Sequence, residues 1–337
     1  MLIWFFLFSS GYALKGSTPM LYKTTHQAMG TGFTLYLYDT NVEHAATISQ
    51  EVFDEVDRID DLLSNYRETS ELSRIVRDAA TIPVTTDPET FRFLEEAERW
   101  CRDSNGAFDI TVGRLMKTWG FFRHGGRIPS EEELQALRSV TGWEKVELDA
   151  GRRSVFFTAP GIELDPGGIG KGFAVDAVVR ILHAEGVIAA MVSAGSSTVY
   201  ALGAPPHRRG WRVVISGPLP SRHTLSIVTL RDTSLSSADC SQKNFTIDGH
   251  LYCHIIDPLT MHPVEGRIQV SVIHPSATAS DALSNILFVS PPTKSFAMLR
   301  QFAPEAKAIV ISRNENRARC DTYRWKGGSR LRSSCKP

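Results

Sequence analysis

Residues 164–176 read LDPGGIGKGFAVD, four glycines and a lysine set between a short apolar run and an apolar helix. Gly167, Gly168, Gly170 and Gly172 carry no Cβ, so the backbone can turn tightly there and approach a bound group. The helix that follows begins with free N–H groups and a positive dipole end, which favour phosphate. Lys171 adds a full positive charge at the same place. Two common phosphate motifs are excluded. A Walker A loop needs Ser or Thr after the lysine, where this chain has Gly172. A dinucleotide fingerprint needs G-x-G-x-x-G, and the sixth place counted from Gly168 is Phe173. Taken alone, the stretch reads equally well as a strand-to-helix turn with a solvated lysine.

Asp281 and Asn285 stand four residues apart in SDALSN, so on a helix both project from one face. A carboxylate and an amide oxygen are hard donors of the kind Mg²⁺ accepts beside phosphate and water. The competing reading is a capping box, with Thr278 and Asp281 simply starting the helix. His254 lies in CHIIDP, between a strand and a proline turn. A histidine near its ordinary pKa can take a proton from a hydroxyl nucleophile or support a leaving group. It is one of ten histidines, and most are merely hydrogen-bonded or exposed. Met29 offers a soft thioether for ring packing and Tyr66 a flat face with a hydroxyl, yet either suits a core equally.

The elements that must hold these residues follow from periodicity. Residues 32–38 alternate as a strand, and 42–63 and 88–103 carry apolar residues at helical spacing. Short helices are expected at 113–119 and 130–137, the second opened by a capping box at Ser130. Strands are expected at 145–148, 154–157 and 161–164, and the helix after the glycines at 172–185. Beyond it the chain turns strand-rich, at 189–193, 198–201, 211–216, 225–230, 250–256 and 268–273. Helices at 278–289 and 293–301 and a strand at 306–312 close the body. Strands joined by short turns, with helices grouped, indicate an α+β fold of antiparallel sheets flanked by helices.

The 337 residues suffice for a large core, and 42% hydrophobic with 22% charged residues is a globular balance. Lys plus Arg equals Asp plus Glu, 37 each, which argues against a nucleic-acid partner. Residues 1–20 are read as a signal segment, because residues 2–8 form an apolar run too short to span a bilayer. Export to a bacterial periplasm, or to the periplasmic face of the inner membrane, is the expectation, with a cytoplasmic site as the alternative. No cysteine precedes Cys101, so no lipid anchor through an N-terminal cysteine is expected. Residues 21–312 form the expected functional domain and 313–337 a basic, solvated tail. The five cysteines include no C-x-x-C pair, so neither a zinc nor a thioredoxin-type motif is indicated; Cys320 and Cys335 are candidates to pair after export.

Six segments occur in one order: AMGT at 28–31, LLSNYRETSELSR at 62–74, GAFDITVGRLMKTWGF at 106–121, the glycine-rich stretch, HIIDPLTMHPV at 254–264 and SDALSNILFVS at 280–290. Together they resemble the FAD:protein FMN transferase (ApbE) family over residues 27–312. The resemblance implies a T-fold-like architecture and Mg²⁺-dependent transfer of FMN from FAD to a Thr or Ser hydroxyl of an acceptor flavoprotein, typically a membrane redox subunit, with AMP released. It further implies that Met29, Tyr66, Ala107, Phe108, Asp109, Asp165, Lys171 and Ile256 line the FAD pocket. By the same resemblance Gly168 (through its carbonyl), Asp281 and Asn285 match the metal ligands and His254 the catalytic position. Glu71 and Trp119 fall in matching blocks without an assigned role. Asn285 departs from the family's threonine, with Ser284 as a substitute, and Cys253 replaces a serine. Ser196 and Ser197 replace a glycine and a polar residue after Gly195, and SSAD at 236–239 stands where TSGD is common. The rival functions are an FAD pyrophosphatase yielding FMN and AMP, and a non-catalytic FAD-binding protein.

Overall fold

A computed structural model describes residues 18–122, 125–217, 224–241, 243–314 and 317–325. Its centre is an eight-stranded sheet: β1 (Met20–Ala28), β2 (Thr31–Asp39), β3 (Ala189–Ala194), β4 (Thr198–Gly203), β5 (Thr233–Asp239), β6 (Arg267–His274), β7 (Lys307–Asn314) and β8 (Arg317–Tyr323). Sheet order follows chain order, and every neighbouring pair is antiparallel. The sheet is therefore one long meander, and everything functional is inserted between its strands.

The insertion after β2 carries six helices: α1 (Val42–Leu63), α2 (Glu71–Asp78), α3 (Pro88–Asp103), α4 (Gly113–Thr118), α5 (Glu131–Leu137) and α6 (Gly170–Ala184). Two more, α7 (Ala277–Val289) and α8 (Pro292–Phe302), lie between β6 and β7. Pro88 stands in the first turn of α3 behind the cap Asp87, and Ser130 and Glu133 form the expected capping box. The side-chain period of two gives the sheet two apolar faces. Phe33, Leu35, Val270, Val272 and Val310 pack under α1, α6 and α7. On the other face Ile273, Ile309 and Ile311 meet Trp211, Ile215 and Leu225 of a hairpin formed by Trp211–Ser216 and Thr224–Leu230.

Several elements differ from the periodicity. β1 is a polar edge strand whose alternate residues stay partly exposed, so no apolar stripe marks it. The expected strand at 161–164 is a single parallel bridge between Glu163 and Val112, and α6 starts at Gly170 rather than 172. The strand expected at 250–256 is two, His250–Cys253 and Ile256–Asp257, broken at His254. Part of the expected tail is β8, an edge strand on which the exposed Arg319 is tolerated. The signal segment expected at residues 1–20 lies outside the described residues up to residue 17, with Met20 opening β1, and the Cys320–Cys335 pairing lies partly outside them. Among those described, no helix is long and apolar enough to cross a membrane.

Candidate functional site

The site is built where α6 and α7 meet at their N-termini. Gly172 allows the approach, since a Cβ there would lie 2.3 Å from the Ala277 carbonyl oxygen. The two helices exchange carboxylates. Asp176 of α6 accepts from Ala277 N (2.8 Å), Thr278 N (2.9 Å), Thr278 Oγ1 (2.6 Å) and Ser276 Oγ (2.7 Å), capping α7 from outside. Ser276 is the N-cap of α7 and accepts from Ala279 N. Asp281 therefore does not start its own helix, and the capping-box alternative fails because Thr278 donates to Asp176 instead. Asp281 Oδ2 accepts from Gly172 N at 2.9 Å, in the first turn of α6, whose own N-cap Ile169 supplies no side-chain acceptor. Burial pushes the Asp281 carboxyl up from its ordinary value, opposed by the Lys171 charge, the Gly172 N–H and the Thr198 hydroxyl.

The glycine loop is held open beside this junction. Asp165 Oδ1 accepts from Gly167 N (2.8 Å), and Asp165 N donates to the Ile110 carbonyl, tying the loop to the segment that carries Phe108. The Phe108 ring lies close enough to Gly168 that a Cβ there would be 3.1 Å from its edge. Lys171 Nζ reaches the Gly167 carbonyl at 3.5 Å. Met29 forms the tight turn between β1 and β2 with Gly30, and both have positive φ, +50° and +69°. A methionine in that region is uncommon. Its N–H is held by Asp60 Oδ2, which also pairs with Arg67, and its methyl lies beside Gly170.

His254 follows a small arm, the hairpin of Asn244–Ile247 with His250–Cys253, within reach of the Lys171 charge. Its Nδ1 donates to the Lys243 carbonyl at 2.9 Å, which leaves the Nε2 lone pair available. The residue keeps some solvent contact, but the ring is enclosed enough that burial pulls its pKa down to about 4. The Lys243 carbonyl opposes that fall, while the charges of Lys243 and Lys171 add to it. Lys243 Nζ donates to the hydroxyl of Tyr66 (3.3 Å), so Tyr66 stands at the rim of the same arm. Tyr66 is 61% exposed and stacks on Phe122, centroids 4.2 Å apart. Cys253, immediately before the histidine, is disulfide-bonded to Cys240, a pairing that the sequence reading did not consider.

Not every expected residue turns toward this centre. The Asp109 carboxylate accepts from Thr111 N, Thr111 Oγ1 and Trp143 N, and burial raises its pKa. It fixes the loop that presents buried Ala107 and Phe108, and it borders a separate cleft of about 630 Å³ with Arg138 and Leu259. Ile256 points its side chain into a small core with Leu115, Trp119 and Met261. Glu71 is taken up by Arg74 and the Asp87 N–H, and Trp119 Nε1 by the Met261 carbonyl. Three contributors were missed by the sequence reading: Asp60, Asp176 and Lys243. Asp176 stood inside the glycine motif itself; Lys243 orients His254 through its backbone carbonyl, which carries no signal in residue type.

Of the residues expected at a metal site, Asn285 meets Gly168 and Asp281 through their backbone carbonyls. Asn285 Nδ2 donates to the carbonyls of both Gly168 and Asp281, each at 3.1 Å. The amide's O and N are assigned from such bonds, and half a turn would put Oδ1 beside the Gly168 carbonyl. With the buried Asp281 carboxylate this is an all-oxygen donor set, which suits a hard cation such as Mg²⁺.

Known proteins share this arrangement of chain. The FAD:protein FMN transferase of Vibrio cholerae is 30% identical over 275 residues, covering 80% of this chain and 81% of that protein. That of Treponema pallidum is 31% identical over 283 residues, covering 80% and 77%. Among solved structures, the apo flavinyl transferase ApbE of Pseudomonas stutzeri superposes with a TM-score of 0.80 at 26% identity, covering 91% of this chain and 96% of that one. The ApbE protein of Thermotoga maritima gives 0.80 at 27% identity, covering 87% and 94%. The profile of the ApbE family matches residues 29–310, from the strained methionine through the glycine loop, the histidine arm and α7 into β7, and the chain belongs to that family.

Proposed function

We propose that the chain is a Mg²⁺-dependent FAD:protein FMN transferase acting on a Thr or Ser hydroxyl of an acceptor flavoprotein. The observation that carries the reading is the meeting of Lys171, the Gly168 carbonyl, Asn285 and the buried Asp281 carboxylate at the N-terminus of α6. Lys171 and the first-turn N–H groups of α6 take the pyrophosphate of FAD. Met29, Phe108 and Tyr66 supply surfaces for its rings. Gly168, Asp281 and Asn285 would hold the Mg²⁺, which neutralises charge on the phosphate oxygens. The acceptor oxygen attacks the FMN-side phosphorus, the bond to the AMP phosphate breaks, and His254 Nε2 receives the hydroxyl proton. FMN is then held by a phosphoester and AMP leaves.

A membrane redox subunit is the acceptor class we favour, with the reaction outside the cytoplasm. The Cys240–Cys253 disulfide supports export, because such bonds persist in oxidising compartments. Incubating the protein with FAD, Mg²⁺ and a candidate acceptor tests the reading. Flavin fluorescence that stays on the acceptor through denaturation, with equimolar AMP, is expected. Free FMN with AMP would mean a pyrophosphatase, and intact FAD a binding protein.

A further inference from the structure

Cys240 and Cys253 are 13 residues apart, and their bond closes a loop that holds both Lys243 and the hairpin leading to His254. Among the described residues that hairpin shares no ladder with another strand, and its hold on the body is the packing of Phe245 and Tyr252 on Phe121 and Trp119. A two-stranded hairpin of this size is marginal in water on its own. Its inner end is drawn together by three contacts: the disulfide, Asn244 Nδ2 on the Cys240 carbonyl at 2.6 Å, and the Lys243 carbonyl. That carbonyl accepts from both His254 N (3.2 Å) and His254 Nδ1 (2.9 Å). Cys240 directly follows β5, so the cross-link anchors the arm to the main sheet. Resting on the reading that His254 handles the acceptor proton, we propose that the Cys240–Cys253 disulfide is a positioning element that holds His254 in its Nδ1–H tautomer with Nε2 aimed at the site.

The consequence is a dependence on redox state. Cys240 is partly exposed and offers the point of attack, whereas Cys101, the one free cysteine among the described residues, is buried with its thiol pushed up beyond the reactive range. A dithiol reductant would break the S–S bond by two successive thiolate attacks. Its two electrons and two thiol protons end on Cys240 and Cys253, and the reagent closes into its own cyclic disulfide. Released from the cross-link, Lys243 is tied to residue 254 only through the neighbouring Asn244–Cys253 pair, and the shared carbonyl fixes the ring less firmly. A misplacement on the order of 1 Å can cost about 10²-fold in rate.

The test uses the full chain, oxidised or reduced with dithiothreitol, beside a Cys240→Ser, Cys253→Ser double variant. Nitrogen-15 spectra of the histidine rings report the tautomer, and FAD titration and turnover are measured on the same samples. Expected are a single Nδ1–H form of His254 when oxidised and a tautomer mixture when reduced. Turnover should fall by about 10²-fold on reduction while FAD affinity stays within about 2-fold. The double variant should match the reduced protein and ignore dithiothreitol, which excludes the other disulfide-bonded cysteine, Cys320, as the source. An unchanged tautomer after reduction, or a double variant still sensitive to dithiothreitol, overturns the proposal. A protein that transfers no flavin in either state overturns the functional reading, and the ring spectra still decide this one.

Discussion

The two halves of the site are held by different means. At the α6–α7 junction, helices in the main core lock together through Gly172 and an exchange of two carboxylates, Asp176 and Asp281, each serving the other helix. The His254 arm is a two-stranded hairpin packed through Phe245 and Tyr252 on Trp119 and Phe121, and its inner end is closed by one backbone carbonyl and one disulfide. The difference teaches where function and folding can be separated. At the junction the residue that would hold a metal also satisfies a buried N–H, so one substitution strikes both. On the arm the residue that would move a proton supports little else, so chemistry can be removed while the fold stands.

The largest effect is expected at Asp281. Asp281→Ala should abolish AMP release and also destabilise the protein by about 1–3 kcal/mol, because Gly172 N–H is left buried without an acceptor. Asp281→Asn separates the two roles. Its amide oxygen can still take the Gly172 N–H, so thermal unfolding should stay near wild type while turnover in Mg²⁺ is lost. An Asn variant with normal turnover would break the comparison, since the charge would then be doing nothing.

On the arm, His254→Ala should lower turnover by about 10²–10⁴ and leave both FAD affinity and the unfolding midpoint nearly unchanged. Loss of affinity in proportion to rate would make it a pocket residue instead. The pH dependence sharpens this further. An ordinary histidine would lose activity below pH 6.5, but burial has pulled this one down to about 4. In free enzyme, kcat/KM should therefore hold through pH 6.5 and fall only toward pH 4. The pyrophosphate of bound FAD brings negative charge beside the ring, which favours its protonated form. The inflection in kcat should accordingly lie above that in kcat/KM. Stability follows the same group: the unfolded chain binds a proton at His254 first, so its contribution is complete above pH 6.5 and is lost as pH falls toward 4.

Gly172→Ala should cost about 1–3 kcal/mol by forcing the helices apart, read as a lower unfolding midpoint, with activity reduced in parallel. The smallest change is expected at Asn285. Asn285→Thr removes the amide that bridges Gly168 and Asp281 and should preserve turnover or raise it severalfold at limiting Mg²⁺. A marked fall would show that the amide itself is required.

How much of this was legible beforehand follows the same division. The long helices α1, α3 and α7 announced themselves through apolar spacing, and the glycine motif announced the tight turn into α6. What stayed hidden was carried by edges, backbone groups and distant partners. β1 and β8 pair on one side only, so their polar residues gave no alternation to read. Asp281 looked like a cap because the true cap partner, Asp176, lies 101 residues before Ala277. Cys253 looked like a mild replacement of serine until Cys240 came into contact with it. Residue type reveals what a side chain can do, whereas the tertiary partner decides which of those options is used.

The meander has a last consequence, for synthesis. A chain made from its N-terminus can add strands to the sheet edge as they emerge, since each pairs with its neighbour in sequence. The junction cannot be built that way, because Gly172 waits for an acceptor 109 residues later. Until α7 has left the ribosome or crossed a translocation pore, the Gly172 N–H lacks the Asp281 carboxylate. A nascent chain stopped before Ser276 would thus carry most of the sheet but no completed site, and the polypeptide remains idle until about its final fifth is delivered.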